Sequence, residues 1–482
     1  MRLRLVAPAA LAALLVVPAC HGLASARSHA ATPAAARVDA GSPYAAAISR
    51  PRVDPYYPDE GTTSLDALHY DLDLSWDAAA RELSGAATIR FRATRNESKI
   101  SLDFGAPLRV DAVHLDGADV PGSTHTGHKL TILTGALTRN SRHTLVIRYH
   151  GTPHPVAAPT ARKDIADLGW TIQPNGQVWS LQEPFGAYTW YPVNDQPSDK
   201  AYYDITWHTK SAWSGVSNGQ LINNEVSDGE RVMHWHLASP AASYLVTVAI
   251  GPYREYRDTG PRGLPITYWV RDVDKDRLPM LRRTPAMLRW LEARLGPYPF
   301  DRLGVVVVPT KSSVETQTMV TIGPSVLRSP SGLPDLVHEL SHQWYGDTVT
   351  PNNWKDLWMN ESFAMYIEIR WEASHGYGSM ASWRWTLNEY DQRLRRRYGP
   401  PGEYDRNNFA ELDVYFCGAR MLDRLHSMLG SQLFATVLRR WPQTHRFGSA
   451  DRGEWIDYLD RTTGRNLRPF VHRWLTSKKS PK

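Results

Sequence analysis

The chain predicts an α+β protein: an antiparallel β-sheet domain first, then a mixed α/β, mostly helical domain. Three observations carry this. Apolar and polar residues alternate at period two through residues 64–258, helical periodicity takes over beyond Ser331, and His338-Glu339-Leu340-Ser341-His342 opens that helical part with Glu361 nineteen positions further on. The 482 residues are 42% hydrophobic and 22% charged, an ordinary globular composition with room for two or three domains. A net charge of +6 is modest for this length, and no long Lys/Arg run argues for nucleic acid. Arg393, Arg395, Arg396 and Arg397 precede Gly399-Pro400-Pro401 and are expected to be solvated cations at a helix C-terminus, where the helix dipole favours them.

Residues 1–26 are expected to be an export signal: Arg2 and Arg4 precede an apolar run, Leu5 to Ala19, that is too short to span a membrane. Ala24-Ser25-Ala26 suits cleavage and secretion to the extracellular space, with no transmembrane span in the mature chain. Val17-Pro18-Ala19-Cys20 offers the alternative of a lipid anchor at Cys20 on the outer face of the membrane. Cys20 and Cys417 are the only cysteines, so loss of the leader leaves no intramolecular disulfide and stability must come from packing. Residues 27–60, rich in Ala, Pro and Ser, are expected to be a disordered linker.

The β domain is expected over 61–258. Tyr70, Leu72, Leu74 and Trp76 alternate with Asp71, Asp73 and Ser75, and Ala87, Ile89, Phe91 and Ala93 with Thr88, Arg90 and Arg92. The catalytic domain is expected over 259–482. A helical stretch from Leu278 to Leu295 leads to a buried strand, Gly304 to Val308, and everything beyond Ser331 reads as helix.

Within that region, Pro334 and Asp335 suit a first helical turn, and Leu336, Val337, Leu340 and Trp344 form an apolar stripe that Gly346 can end. On such a helix His338 and His342 are one turn and about 40° apart, so both imidazoles leave one face. Gly346 to Asn353 reads as a loop, and a second helix from near Leu357 through Ile369 would bring Glu361 to the two histidines. Two imidazoles and a carboxylate are the ligand set of a catalytic zinc with one position open, one ion per chain. Glu339 lies beside the ligand line, where a carboxylate can take a proton from water. Glu368, two turns beyond Glu361, is placed to orient a ligating imidazole through its other nitrogen. The pattern predicts a zinc peptidase.

Residues 64–475 resemble the aminopeptidase N and leukotriene hydrolase family of zinc peptidases, a short form without the extra C-terminal domains of larger relatives. The resemblance rests on Val337 to Asp347, on Trp354 to Ala364, and on Tyr415-Phe416-Cys417-Gly418-Ala419. It implies a thermolysin-like catalytic domain behind the β domain, and removal of single residues from peptides with free N-termini. His338, His342 and Glu361 would hold zinc, Glu339 would activate water and Tyr415 would stabilise the oxyanion. Glu315 and Glu183 would take the substrate's ammonium. The family's GxMEN run is altered here: Ser312, Val314 and Thr316 stand for its Gly, Met and Asn, while Glu315 keeps the carboxylate. Cys417 replaces the lysine common two positions after the tyrosine, and Tyr188 and Val193 replace a usual arginine and cysteine. The absent C-terminal domains imply a more open site.

Two other readings use the same residues. A zinc endopeptidase would keep the metal site without the ammonium trap, and the altered GxMEN run is its support. An inert binding protein would need a broken catalytic set, and none of these residues is missing. Epoxide hydrolysis has no lipid-channel signal to support it.

Overall fold

In the strand Leu65–Asp77, Tyr70, Leu72, Leu74 and Trp76 are buried, whereas Asp71, Asp73 and Ser75 lie on the more open face, as period-two alternation requires. This strand is central to an eight-stranded sheet. In spatial order its members are Gln220–Ser227, Glu230–Ala242, Lys200–Lys210, Leu65–Asp77, Glu82–Ala93, Arg142–Gly151, Arg109–Leu115 and Ala118–Asp119. Every pairing is antiparallel except that of Leu65–Asp77 with Lys200–Lys210, which is parallel. A five-stranded sheet that includes Asp167–Ile172 and Val178–Leu181 packs in the same core, with Trp170, Trp190 and Trp207 fully buried between them. The structure is a computed structural model; it describes residues 43–329 and 332–482.

A second five-stranded sheet runs Tyr253–Thr259, Pro265–Arg271, Leu303–Val307, Met319–Ile322, Ser313–Val314. Its middle pairings are parallel and its two outer ones antiparallel, so the short strand Ser313–Val314 is an edge. Among the described residues, eight helices of nine or more residues accompany it: α1 (Thr284–Leu295), α2 (Leu333–His342), α3 (Trp358–His375), α4 (Met380–Tyr398), α5 (Gly418–Leu429), α6 (Ser431–Thr444), α7 (Arg452–Thr463) and α8 (Arg468–Thr476). The arrangement is the expected α+β order, a sheet-rich part followed by a mixed, largely helical one. Residues 43–482 form one compact unit. The β core reaches into the helical part through Trp354, Leu357, Phe409 and Val414.

Four expectations need correction. The 27–60 segment is not wholly a linker, because its described part, 43–60, is anchored. Asp54 accepts from the Trp354 N–H at 2.7 Å, and Tyr56 and Tyr57 pack on Tyr404 and Phe185. The aromatic Asp54-Pro55-Tyr56-Tyr57 cluster supplies apolar area that the Ala/Pro-rich composition upstream conceals. Arg395 is not solvated: its guanidinium is fully buried, bonded to Asp391 and to the carbonyls of Trp474 and Ser477. Neither is everything beyond Ser331 helical, since Val349–Pro351 pairs in parallel with Gly448–Ala450. Finally, the strand Tyr253–Thr259 straddles the expected 258/259 boundary and bonds to Pro265–Arg271, so the second five-stranded sheet begins at Tyr253. The leader and Cys20 lie outside the described residues.

Candidate active site

α2 carries Pro334 and Asp335 in its first turn, where proline is tolerated and the carboxylate suits the positive end of the helix dipole. It ends in a wide π-type turn, Gln343–Asp347, where Gly346 adopts φ 129°. That left-handed conformation favours glycine, and a Cβ there would also crowd Asn360 and His342. The turn brings the Tyr345 carbonyl back onto His342 Nδ1 at 3.0 Å. In α3, Glu361 lies in the first turn and Glu368 two turns on; the Glu368 carboxylate is 2.8 Å from His338 Nδ1. Both Nδ1 atoms therefore face acceptors. This holds the rings in the tautomer whose Nε2 lone pairs are free.

Those two Nε2 atoms converge on Glu361 Oε2, at 3.2 Å from His338 and 3.5 Å from His342. One donor atom from each of the three residues lies within 4.8 Å of the others. Three lone-pair donors aimed at one buried point, two nitrogens and a carboxylate oxygen, are chemically complementary to a divalent cation, and the set fits zinc. Glu361 is held well below the usual carboxylate range because His342 and His338 outweigh the opposing effect of burial. Glu339, next to His338 on α2, is pushed up to about 8 by burial, against the pull of the two histidines.

Glu183 and Glu315 come from opposite sides. Glu183 follows the strand Val178–Leu181, its neighbour Gln182 pinned by bonds to the Ser243 carbonyl and the Trp190 indole. Glu315 follows the edge strand Ser313–Val314, and its carbonyl accepts from Gln343. Carboxylate oxygens of Glu183, Glu315 and Glu361 lie within 4.8 Å of one another. Glu183 Oε1 and Glu315 Oε1 are both buried without a hydrogen-bond partner. Burial first, then the charges of Glu315, Glu361 and Glu339, push Glu183 well above the usual range; burial also raises Glu315. Tyr415 lies in a wide turn, Asp413–Cys417, ahead of α5, its ring centroid 5.7 Å from that of His338. Glu183, Glu315, Glu339, Tyr415 and the His338, His342, Glu361 set line one cavity of about 560 Å³.

The structure thus brings together every residue expected from the sequence: His338, His342, Glu361, Glu339, Tyr415, Glu315, Glu183 and Glu368. Sequence reasoning passed over Arg162, which lines the same cavity and donates to the Tyr415 hydroxyl at 3.2 Å. No spacing rule could have found it, because 253 residues separate the pair.

A His-His-Glu centre in the helical part, in a cavity also lined by Glu183 and Arg162 of the sheet-rich part, has the donor set of a divalent metal site. The chain belongs to peptidase family M1: residues 66–245 match the peptidase M1 N-terminal domain and residues 281–474 the peptidase family M1 domain. It is 24% identical over 455 residues to aminopeptidase N of Streptomyces lividans, covering 86% of this chain and 50% of that protein. To leukotriene A-4 hydrolase of Xenopus laevis it is 24% identical over 424 residues, covering 81% and 67%. The chain spans about half the length of most of the curated relatives it matches. Among solved structures, the M1 zinc metallopeptidase of Deinococcus radiodurans superposes with a TM-score of 0.77 at 24% identity, covering 89% of this chain and 97% of that one. That likeness establishes the fold.

Proposed function

We propose that this chain is a zinc aminopeptidase that removes N-terminal residues from peptides. The observation that carries the reading is the pair of buried, unpartnered carboxylate oxygens of Glu183 and Glu315 beside Glu361. An unpaired buried carboxylate is costly, and a cation restores the balance. A substrate ammonium seated there lies next to the metal ligands, so the peptide bond in reach is the first one. Selection for a free N-terminus then follows from charge and position together. The endopeptidase reading leaves these two oxygens without a hydrogen-bond partner.

His338, His342 and Glu361 would hold the ion, with Glu368 and the Tyr345 carbonyl fixing the two rings. Zinc held there would supply Lewis acidity, polarising the substrate carbonyl and making a nearby water easier to deprotonate. Glu339 takes the proton from the attacking water and returns it to the leaving amine. The Tyr415 hydroxyl donates to the charge that develops on the carbonyl oxygen. Ser313–Val314, an edge strand on the cavity, can pair with an extended peptide and align its first residue with Glu315.

Paired peptides with free and acetylated N-termini test the reading. Free peptides should lose residues one at a time from the N-terminus, and acetylated ones should resist. Efficient internal cleavage of the acetylated peptide would move the chain to the endopeptidase reading.

The export reading, secretion or a lipid anchor at Cys20, rests on the leader sequence. Among the described residues, no helix is long and apolar enough to cross a membrane. The mass of the mature N-terminus distinguishes cleavage after Ala26 from a lipid-modified Cys20.

A further inference from the structure

We infer that Arg162, contributed by the sheet-rich domain, is a positioning residue for the oxyanion donor Tyr415. The inference rests on the zinc aminopeptidase reading and extends it to a residue outside the metal motif. Arg162 lies in the segment joining the strands Val156–Ala157 and Asp167–Ile172, and its side chain enters the cavity mostly buried. A guanidinium has donors only. Its Nη1 donates to the Tyr415 hydroxyl at 3.2 Å and to the Ala410 carbonyl at 3.1 Å. The phenol oxygen must accept on that side, so its single hydrogen is directed elsewhere. Tyr415 thereby keeps its one donor for the substrate oxygen.

The guanidinium is itself held from behind. Nε and Nη2 fork onto the two oxygens of Asp164 at 3.2 and 2.6 Å, and Asp164 lines the cavity together with Ser312 beside the edge strand. On the other side, the Phe409 N–H donates to the Pro159 carbonyl at 2.8 Å, and Ala410 holds a left-handed φ of 54° that turns its carbonyl to Arg162. Residues 159–164 therefore bridge the cavity from the Ser312 wall to the segment leading into Tyr415. Only Arg162 and Lys311 carry fixed positive charge among the lining residues, in a cavity otherwise rich in carboxylates. A cation against the phenol oxygen strengthens the phenol as a donor when negative charge forms on the substrate.

The test is a double-mutant cycle on the best-cleaved member of a panel of amino-acid p-nitroanilides, with zinc content measured for each variant. Arg162→Met should lower kcat roughly 10- to 100-fold, leave KM within about threefold, and retain zinc. Arg162→Lys, which keeps the charge but loses the fork, should recover part of the loss. In a Tyr415→Phe background neither change should lower kcat by more than about twofold, because the group through which Arg162 acts is gone. Losses that multiply in the double variant, or a loss confined to KM, would overturn the inference while leaving the aminopeptidase reading intact. If Arg162→Met does not fold, Arg162→Lys is read in the same two backgrounds against the same criterion. A wild type that cleaves no member of the panel defeats the underlying reading and this inference with it, whereas a Tyr415→Phe variant with full kcat overturns this inference alone.

Discussion

Lys200 Nζ donates to the main-chain carbonyl of Asp347 at 2.7 Å, with both residues buried, and so ties the strand Lys200–Lys210 to the turn that follows His342. Burial lowers the Lys200 pKa to about 7, against the opposing pull of Asp347. Between about pH 7 and the ordinary lysine value of 10.5, the unfolded chain binds a proton that the folded chain does not. Stability therefore rises with pH across that window, and the contribution is lost as pH falls through 7. Denaturant midpoints of the wild type and Lys200→Met at pH 7, 8 and 9 should converge or cross as the wild type gains. Parallel profiles would refute the assignment.

Glu339→Gln keeps the shape of the side chain, leaves the three metal ligands in place and removes the proton acceptor. Bound zinc should stay at one per chain while kcat falls by about 10²–10⁴-fold. His342→Ala should lose zinc and activity together. Metal analysis alongside steady-state rates separates the two cases, and an active wild type without zinc would refute the metal assignment.

Glu368 touches the metal-site histidines at His338 Nδ1, 2.8 Å away. Its replacement by Ala should weaken zinc binding by about 10- to 100-fold, because the ring loses the partner that fixes its tautomer and direction. Competition with a chromogenic chelator measures this directly. An unchanged zinc affinity would return Glu368 to a structural role.

Gly418 opens α5 where it crosses α3, and a Cβ at this position would overlap the Ser362 hydroxyl, which itself donates to the Val414 carbonyl at 2.6 Å. Ser362 follows Glu361, and Val414 precedes Tyr415, so this contact sets the spacing between a metal ligand and the oxyanion donor. Gly418→Ala should cost about 1–3 kcal/mol by overpacking, and kcat should fall as well. In a Ser362→Gly background the added methyl should cost less. Equal penalties in both backgrounds would place the clash elsewhere.

The metal site was legible because its geometry is mostly local. His338, Glu339 and His342 share one helix, and the seven-residue step from Glu361 to Glu368 is two helical turns. The alternating strands were legible for the same reason. What escaped is set by contacts between distant segments. Asp54 reaches Trp354 across 300 residues, Lys200 reaches Asp347 across 147, and Arg162 reaches Tyr415 across 253. Each is a buried polar group satisfied by a partner that no periodicity encodes. Arg395 failed differently: its position at the end of α4 suits a solvated cation, but α8 and Asp391 enclose it.

Glu183 and Arg162 belong to the sheet-rich part, whereas the metal ligands and Glu339 belong to the helical part. The cavity is thus assembled from separate stretches of chain: Glu183 and Arg162 come from the first, Glu315, Tyr415 and the metal ligands from the second, and they meet only in the folded protein. Chimaeras that exchange the first stretch between relatives would replace Glu183 and Arg162 together while leaving Glu315, Glu339 and the metal ligands in place. Conversely, random change in either stretch is constrained by the other across the shared cavity, so the two halves must drift together or lose the enzyme.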